Sequence, residues 1–239
     1  MLLASQSSPA ASTLTISVFD DGQHQCYIHP LPGPDGHHQT GKEATCMRVT
    51  KAQAQANRAH IVETASVQFR EHGYDGVGVA DLMAAAGFTH GGFYKHFGSK
   101  SDLMAESAAC AFSQTVANST GIDPAQFIDY YLSREHRDNL GTGCPMAALS
   151  GDAARQSDEV KATFADGIES LLAALAPAQA APGDEEWKQA RANTIDRFAH
   201  ALGALLLSRS CPNDSPLADE ILEVCRAKMR AQLESGQTD

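Results

Sequence analysis

Apolar residues recur along this chain at helical spacing. In the Ala/Gln/Glu-rich stretch 51–72, Ile61, Val62, Ala65 and Phe69 fall three and four positions apart, which predicts an amphipathic helix with one core stripe. Gly73 is placed to close it in the left-handed conformation. After the turn YDGVG, residues 79–86 read as a second, short helix stopped by Gly87. Thr89 then caps a third helix over 90–97, with Phe93 and Phe97 on one face, and Ser99 caps a fourth beginning at Lys100, with Asp102 in its positive first turn. Further helices are predicted at 124–132, 145–155, 158–176, 185–210 and 216–233. Asp123 before Pro124 and Ser215 before Pro216 give two of them a cap-then-proline start. No alternating strand pattern of useful length follows residue 20, so the fold class is all-α.

Residues 1–46 break this pattern. They hold Pro9, Pro30, Pro32 and Pro34, a turn-rich PGPDGHH stretch and one short apolar run at 14–19, too little to offset the entropy of ordering the segment. It is expected to be disordered, or to be an upstream extension of a chain that properly starts at Met47. His37 and His38 read as a solvated loop before a metal tract. The expected organisation is this extension (1–46), a small helical head (47–104) and a larger helical body (105–239).

Charge changes the picture only when divided the same way. The chain carries a net −11, but between residues 47 and 105 six Lys/Arg stand against five Asp/Glu, so the acidity belongs to the body. A near-neutral head can bind a polyanion if its cations face it, because affinity follows contacts made rather than whole-chain charge. The six cysteines, at 26, 46, 110, 144, 211 and 225, include no C-x-x-C pair and no zinc-type Cys/His spacing. They are expected to be reduced thiols of a cytoplasmic protein with no metal and no cofactor. No run approaches the roughly 18 apolar residues of a membrane span.

A long helix followed by two short ones around a glycine turn is the helix-turn-helix plan, in which the last helix enters the DNA major groove. The wording is more specific than the plan. The segment REHGYDGVGVADLMAAAGFTHGGFYKHFGSKSDLM resembles the TetR family signature over more than thirty residues, matching its turn glycine at Gly87, its aromatic pair at Phe93-Tyr94-Lys95-His96-Phe97 and its Ser-Lys at Ser99-Lys100. The resemblance implies a three-helix DNA-binding head and a helical body for dimerisation and ligand binding. It implies double-stranded operator DNA, a second copy of the chain and a small-molecule effector as partners, and no membrane. Lys51, Arg58, Gly78, Val79, Thr89, His90, Gly91, Gly92, Tyr94, Lys95, His96 and Lys100 are the expected DNA-contacting set. Tyr94, Lys95 and Lys100 are placed for phosphates, and His90 and Gly92 for base edges. One departure stands out: Val77 and Gly78 occupy the place of a capping Ser or Thr, so backbone N–H groups of Gly78 and Val79 would have to make that phosphate contact.

In the body, Ile195, Phe198, Ala199, Leu202, Leu205 and Leu206, with Gly203 and Ala204 between them, form a wide apolar stripe. Leu217, Ile221, Val224 and Cys225 form a second. Both suit a four-helix dimer interface and equally an intramolecular core. Phe112, Phe127, Tyr131, Met146 and Phe164 are candidates to line an effector cavity, with core packing the plainer alternative. Within REHRDNLGTGCPMAAL, Cys144 is expected at a helix N-cap before Pro145. There the helix dipole favours thiolate and hence oxidation or attack on electrophiles, while a small residue filling a tight turn is the competing account. His136, Asp138, Cys144 and His200 form no recognisable catalytic motif, so no enzyme is expected. Two functions remain, a DNA-binding regulator released by a small molecule or by thiol modification, and a helical dimeric interaction module without specific DNA binding.

Overall fold

The computed structural model describes residues 50–176 and 183–235, in which all regular structure is helical. The expected disorder of residues 1–46, and the question of a start at Met47, lie outside the described residues. Contacts divide the chain into residues 1–54, of which 50–54 are described, and residues 55–239. The elements in order are α1 (Lys51–His72), α2 (Val79–Ala85), a 3-10 helix (His90–Lys95), α3 (Lys100–Ser119), α4 (Pro124–Tyr131), α5 (Arg134–Asp138), α6 (Pro145–Ala153), α7 (Asp158–Leu175), α8 (Glu185–Arg209) and α9 (Pro216–Ser235).

Local chemistry sets most of the boundaries. Gly73 and Gly87 both take positive φ, 75° and 78°, closing α1 and turning the chain out of α2. Ser99 Oγ accepts the Asp102 N–H at 3.1 Å while Asp102 Oδ2 accepts from the Gly98 N–H at 3.0 Å, so side chains hold amides on both sides of the start of α3. Asp123 Oδ1 accepts from the amides of Ala125 and Gln126, with Pro124 in the first turn of α4.

Three expectations are corrected. Thr89 occupies the N-cap position without a side-chain bond; its carbonyl accepts the Gly92 N–H at 3.0 Å instead. The third helix is a 3-10 turn over His90–Lys95 and stops short of Phe97, because two adjacent glycines favour helix poorly and bring no side chain to stiffen an α-turn. The short helix α5 was not anticipated, since five residues show no period; Ser133 Oγ starts it by accepting from the His136 N–H.

One contiguous core runs through the described residues. In the head, Phe69, Tyr74, Leu82, Met83, Phe93, Phe97 and Leu103 are buried together. Beyond it α3 lies along α7, with Phe112 and Phe164 edge to face at 5.2 Å. The α8 stripe divides between two roles. Phe198, Ala201, Ala204 and Leu205 are buried in the chain's own core, while Ile195, Leu206 and Leu207, with Leu217 and Val224 of α9, stay exposed.

Candidate functional site

The glycine turn determines what the head presents. Gly87 reverses the chain after α2, and Phe93 and Phe97 bury themselves on the head core with ring centroids 5.4 Å apart. This leaves Thr89, His90, Gly91, Tyr94 and Lys95 exposed on one short segment, with the His90 and Tyr94 rings edge to face at 6.3 Å and Tyr94 69% exposed. Gly92 is half-buried, and a Cβ there would reach only van der Waals contact with Met83 and Thr89.

The other expected contacts are partly occupied within the protein. The Arg58 guanidinium pairs through both terminal nitrogens with Glu106, donates from Nε to the His96 carbonyl at 3.2 Å and lies over the Phe97 ring at 4.8 Å. It therefore holds the end of the recognition segment to α3. His96 is half-buried; burial, then the nearby Arg58 and Lys95 charges, hold its imidazole below the ordinary value, so it adds no positive charge at neutral pH. The Lys100 ammonium donates to the Tyr74 carbonyl at 2.6 Å and sits 5.9 Å from the Phe69 ring, tying α3 to the turn after α1. Gly78 caps α2, but its N–H is taken by Asp81 Oδ2 at 3.3 Å, which places a carboxylate beside the proposed backbone phosphate site. Val79 is half-buried next to it, and Lys51 is exposed in the first turn of α1, within residues 1–54. Sequence spacing did not reveal the Arg58–Glu106 pair, whose members lie 48 positions apart.

Several cavities mark the body, one of about 420 Å³ lined by Phe112 and Gly167 between α3 and α7. A cleft of about 690 Å³ lies among the ends of α3 and α7, α4, α8 and α9, lined by Phe127, Ile128, Phe198 and Met229, with Arg197 as the charged residue among its lining groups. A smaller cavity of about 60 Å³ is lined by Phe127, Tyr131, His136 and Cys144. The structure thus brings together three expected effector residues, Phe127, Tyr131 and Cys144. Phe112 and Phe164 pack instead between α3 and α7, and Met146 is buried on α6. The role of Arg197 was not visible in the sequence, where it reads as one charge on a polar helix face.

Cys144 does cap α6 ahead of Pro145, as expected, but the thiolate expectation is corrected. Burial pushes the thiol above its ordinary value, outweighing the neighbouring α6 amides, Tyr131 and Arg209 that act to lower it. Its N–H donates to His136 Nε2 at 3.2 Å, and His136 Nδ1 bonds the Tyr131 carbonyl at 2.8 Å, an arrangement of the neutral imidazole tautomer protonated at Nδ1. Among the described residues the Tyr131 hydroxyl meets no partner at ordinary hydrogen-bond distance and angle. Iodoacetamide at pH 8 is therefore expected to label Cys144 on the order of a hundredfold more slowly than the half-buried Cys211 and Cys225. Equal rates by peptide mass spectrometry would return Cys144 to the reactive thiols.

Among the described residues no helix is long and apolar enough to cross a membrane, and no group of three or more His, Cys, Asp or Glu side chains could hold a metal ion.

Comparison with known proteins bears on the head and the fold separately. Residues 61–106 match the family model described as bacterial regulatory proteins, tetR family. The regulator AcrR of Shigella flexneri is 41% identical over 59 residues, 25% of this chain and 27% of that protein. The repressor DhaR of Mycobacterium sp. (strain GP1) is 32% identical over 110 residues, 44% of this chain and 56% of that protein. The chain thus matches about a quarter to a half of the length of these curated relatives. Among solved structures, the reduced form of NemR from E. coli superposes with a TM-score of 0.59 at 18% identity, covering 74% of this chain and 96% of that one. A TetR family regulator from Agrobacterium tumefaciens superposes at 0.52 and 21% identity, covering 74% and 98%. At these identities the superpositions establish the all-helical fold, and the family likeness is carried by the head, where residues 61–106 form a helix-turn-helix domain of the tetR type.

Proposed function

We propose that this chain is a cytoplasmic transcriptional repressor that binds double-stranded operator DNA as a homodimer and leaves it when a small molecule occupies the helical body. The observation that carries this reading is the recognition segment: burial of Phe93 and Phe97 turns Thr89, His90, Gly91, Tyr94 and Lys95 to solvent on a turn held in place by Arg58. In this reading residues 47–104 form the DNA-binding domain and 105–239 the effector and dimerisation domain. Tyr94 and Lys95 bind phosphate, and His90 with the backbone at Gly91 and Gly92 reads bases. Lys100 meets phosphate with the protons it does not give to Tyr74, while Arg58 and His96 position the segment. The exposed face of Ile195, Leu206, Leu217 and Val224 supports pairing with a second copy, which would set two recognition segments about one DNA turn, ~34 Å, apart. The 690 Å³ cleft has the size of a small-molecule site. Release through thiol modification is the weaker route, given the burial of Cys144.

Sparse free charge sustains the second reading, an interaction module without specific DNA binding. Of the described head cations, Arg58 is paired, Arg70 is buried and Lys100 is engaged, leaving Lys51 and Lys95 exposed. Fluorescence anisotropy on the chain's own upstream DNA separates the two. A repressor is expected to bind with sequence preference and with log K falling against log salt at a shallow slope of roughly −4 for two heads. Lys95→Ala should weaken every DNA about equally and flatten that slope by about 2 per dimer. Binding of the same strength to scrambled DNA would favour the interaction module.

A further inference from the structure

The large cleft has a polarity that names the chemistry of its ligand. Its depth is apolar: Ile128, Phe198 and Met229 are buried there, and no carboxylate stands among its lining residues. Two threonines line it, but each spends its single hydroxyl proton on its own helix, Thr120 on the Val116 carbonyl and Thr194 on the Ala190 carbonyl. Pro124 in the first turn of α4 also lines the cleft, yet Asp123 already holds the first amides of that helix. Arg197 differs from all of these. Its Nε donates to the Asn193 carbonyl at 3.2 Å, while among the described residues neither terminal nitrogen has a hydrogen bond or ion pair. Half-buried on α8 one turn after Thr194, it lines the apolar chamber with two parallel donors unclaimed by the described residues.

Two parallel N–H donors with a full positive charge fit a carboxylate bidentately and fit a neutral hydroxyl or a cation poorly. Accepting the cleft as the effector site of the preceding section, we infer that it selects amphipathic organic acids, the carboxylate on Arg197 and the apolar body between Phe127, Phe198 and Met229. The neutral analogue of such an acid would leave the guanidinium without its anion, so selection comes from the head group and affinity from the body.

The test compares decanoate with 1-decanol by calorimetry on the full chain, on Arg197→Gln and on Ala174→Trp, which fills the cleft. Wild type is expected to prefer decanoate at least about tenfold, the scale of a hydrogen bond to a charged group. Arg197→Gln should bring the two ligands within about twofold while leaving decanol affinity unchanged, and Ala174→Trp should abolish both. Equal affinity of wild type for acid and alcohol would overturn the acid selectivity while leaving the cleft as an apolar effector site. Binding that survives Ala174→Trp, or no binding of either probe, would overturn the selectivity together with the cleft assignment. Retained selectivity in Arg197→Gln would overturn the role of Arg197.

Discussion

Replacing Arg137 by Ala is expected to cost about 3–5 kcal/mol, the scale for removing one partner from a buried charged network. The side chain is 2% exposed and spends most of its fork on groups over seventy residues away. Nε donates to Ser208 Oγ at 2.9 Å, Nη2 to the carbonyls of Ser208 and Cys211 at 3.0 and 3.1 Å, and Nη1 to Asp138 and Asn213. Arg137 thereby serves as the C-cap of α8, satisfying backbone carbonyls that no side chain of α8 itself reaches. Alanine would remove the guanidinium's donors to Cys211 and Asn213, leave the Ser208 carbonyl with only the Cys211 N–H, and open an empty channel. For a chain of this size the melting temperature should fall by at least about 6 °C, with Arg137→Lys recovering less than half, because an ammonium cannot reproduce the planar fork. A loss under about 1 kcal/mol in urea unfolding would mean that water takes over the caps and that the network is dispensable.

Gly167→Val is expected to cost about 3 kcal/mol, the upper range for overpacking at a close contact. Glycine in the middle of a helix ordinarily weakens it, and a larger residue would restore helix propensity. Here a Cβ would stand 2.3 Å from the Phe112 ring, at Cγ and Cδ2, and that ring is itself held edge to face against Phe164. Neither helix can yield without disturbing the α3–α7 contact. The double variant with Phe112→Ala should recover part of the loss, with a coupling of about 1–3 kcal/mol between the two positions. Simple addition of the two costs would show that α3 and α7 shift apart instead.

Both predictions concern residues whose importance the sequence conceals. Within REHRDN, Arg137 reads as one more charge in a polar turn, and α5 is too short to show which face is inward. Gly167 reads as an ordinary flaw in an apolar helix. The helices themselves were legible because caps, prolines and apolar spacing are local signals: the cap at Asp123 with Pro124, the turn at Gly87 and the burial of Phe93 and Phe97 all stand where spacing put them. The third helix was legible as an element but not as a 3-10 turn, since its tightening depends on the backbone bond from Gly92 to Thr89.

The site divides along the same line. Exposure of Thr89, His90, Gly91, Tyr94 and Lys95 follows from which aromatics turn inward, a periodic property of the segment. Whether a given cation is free does not. Arg58 is held by Glu106, Lys100 by a carbonyl of the turn after α1, and Arg197 at the cleft has no ion pair among the described residues, although the three look alike as isolated charges. Cys144 likewise sits at the helix start its sequence announces, yet the surrounding core reverses the sign of the dipole argument by desolvating the thiolate.

The sequence by itself determined the all-helical class, the order of the helices and the helix-turn-helix head with its outward residues, because each rests on interactions within a few positions along the chain. Only the tertiary structure decided which part of the α8 stripe is core and which is surface, which charges are spent and which are available, and where an apolar cleft meets an arginine. Those depend on pairings between segments tens of residues apart, and in such pairings burial and geometry outweigh residue type.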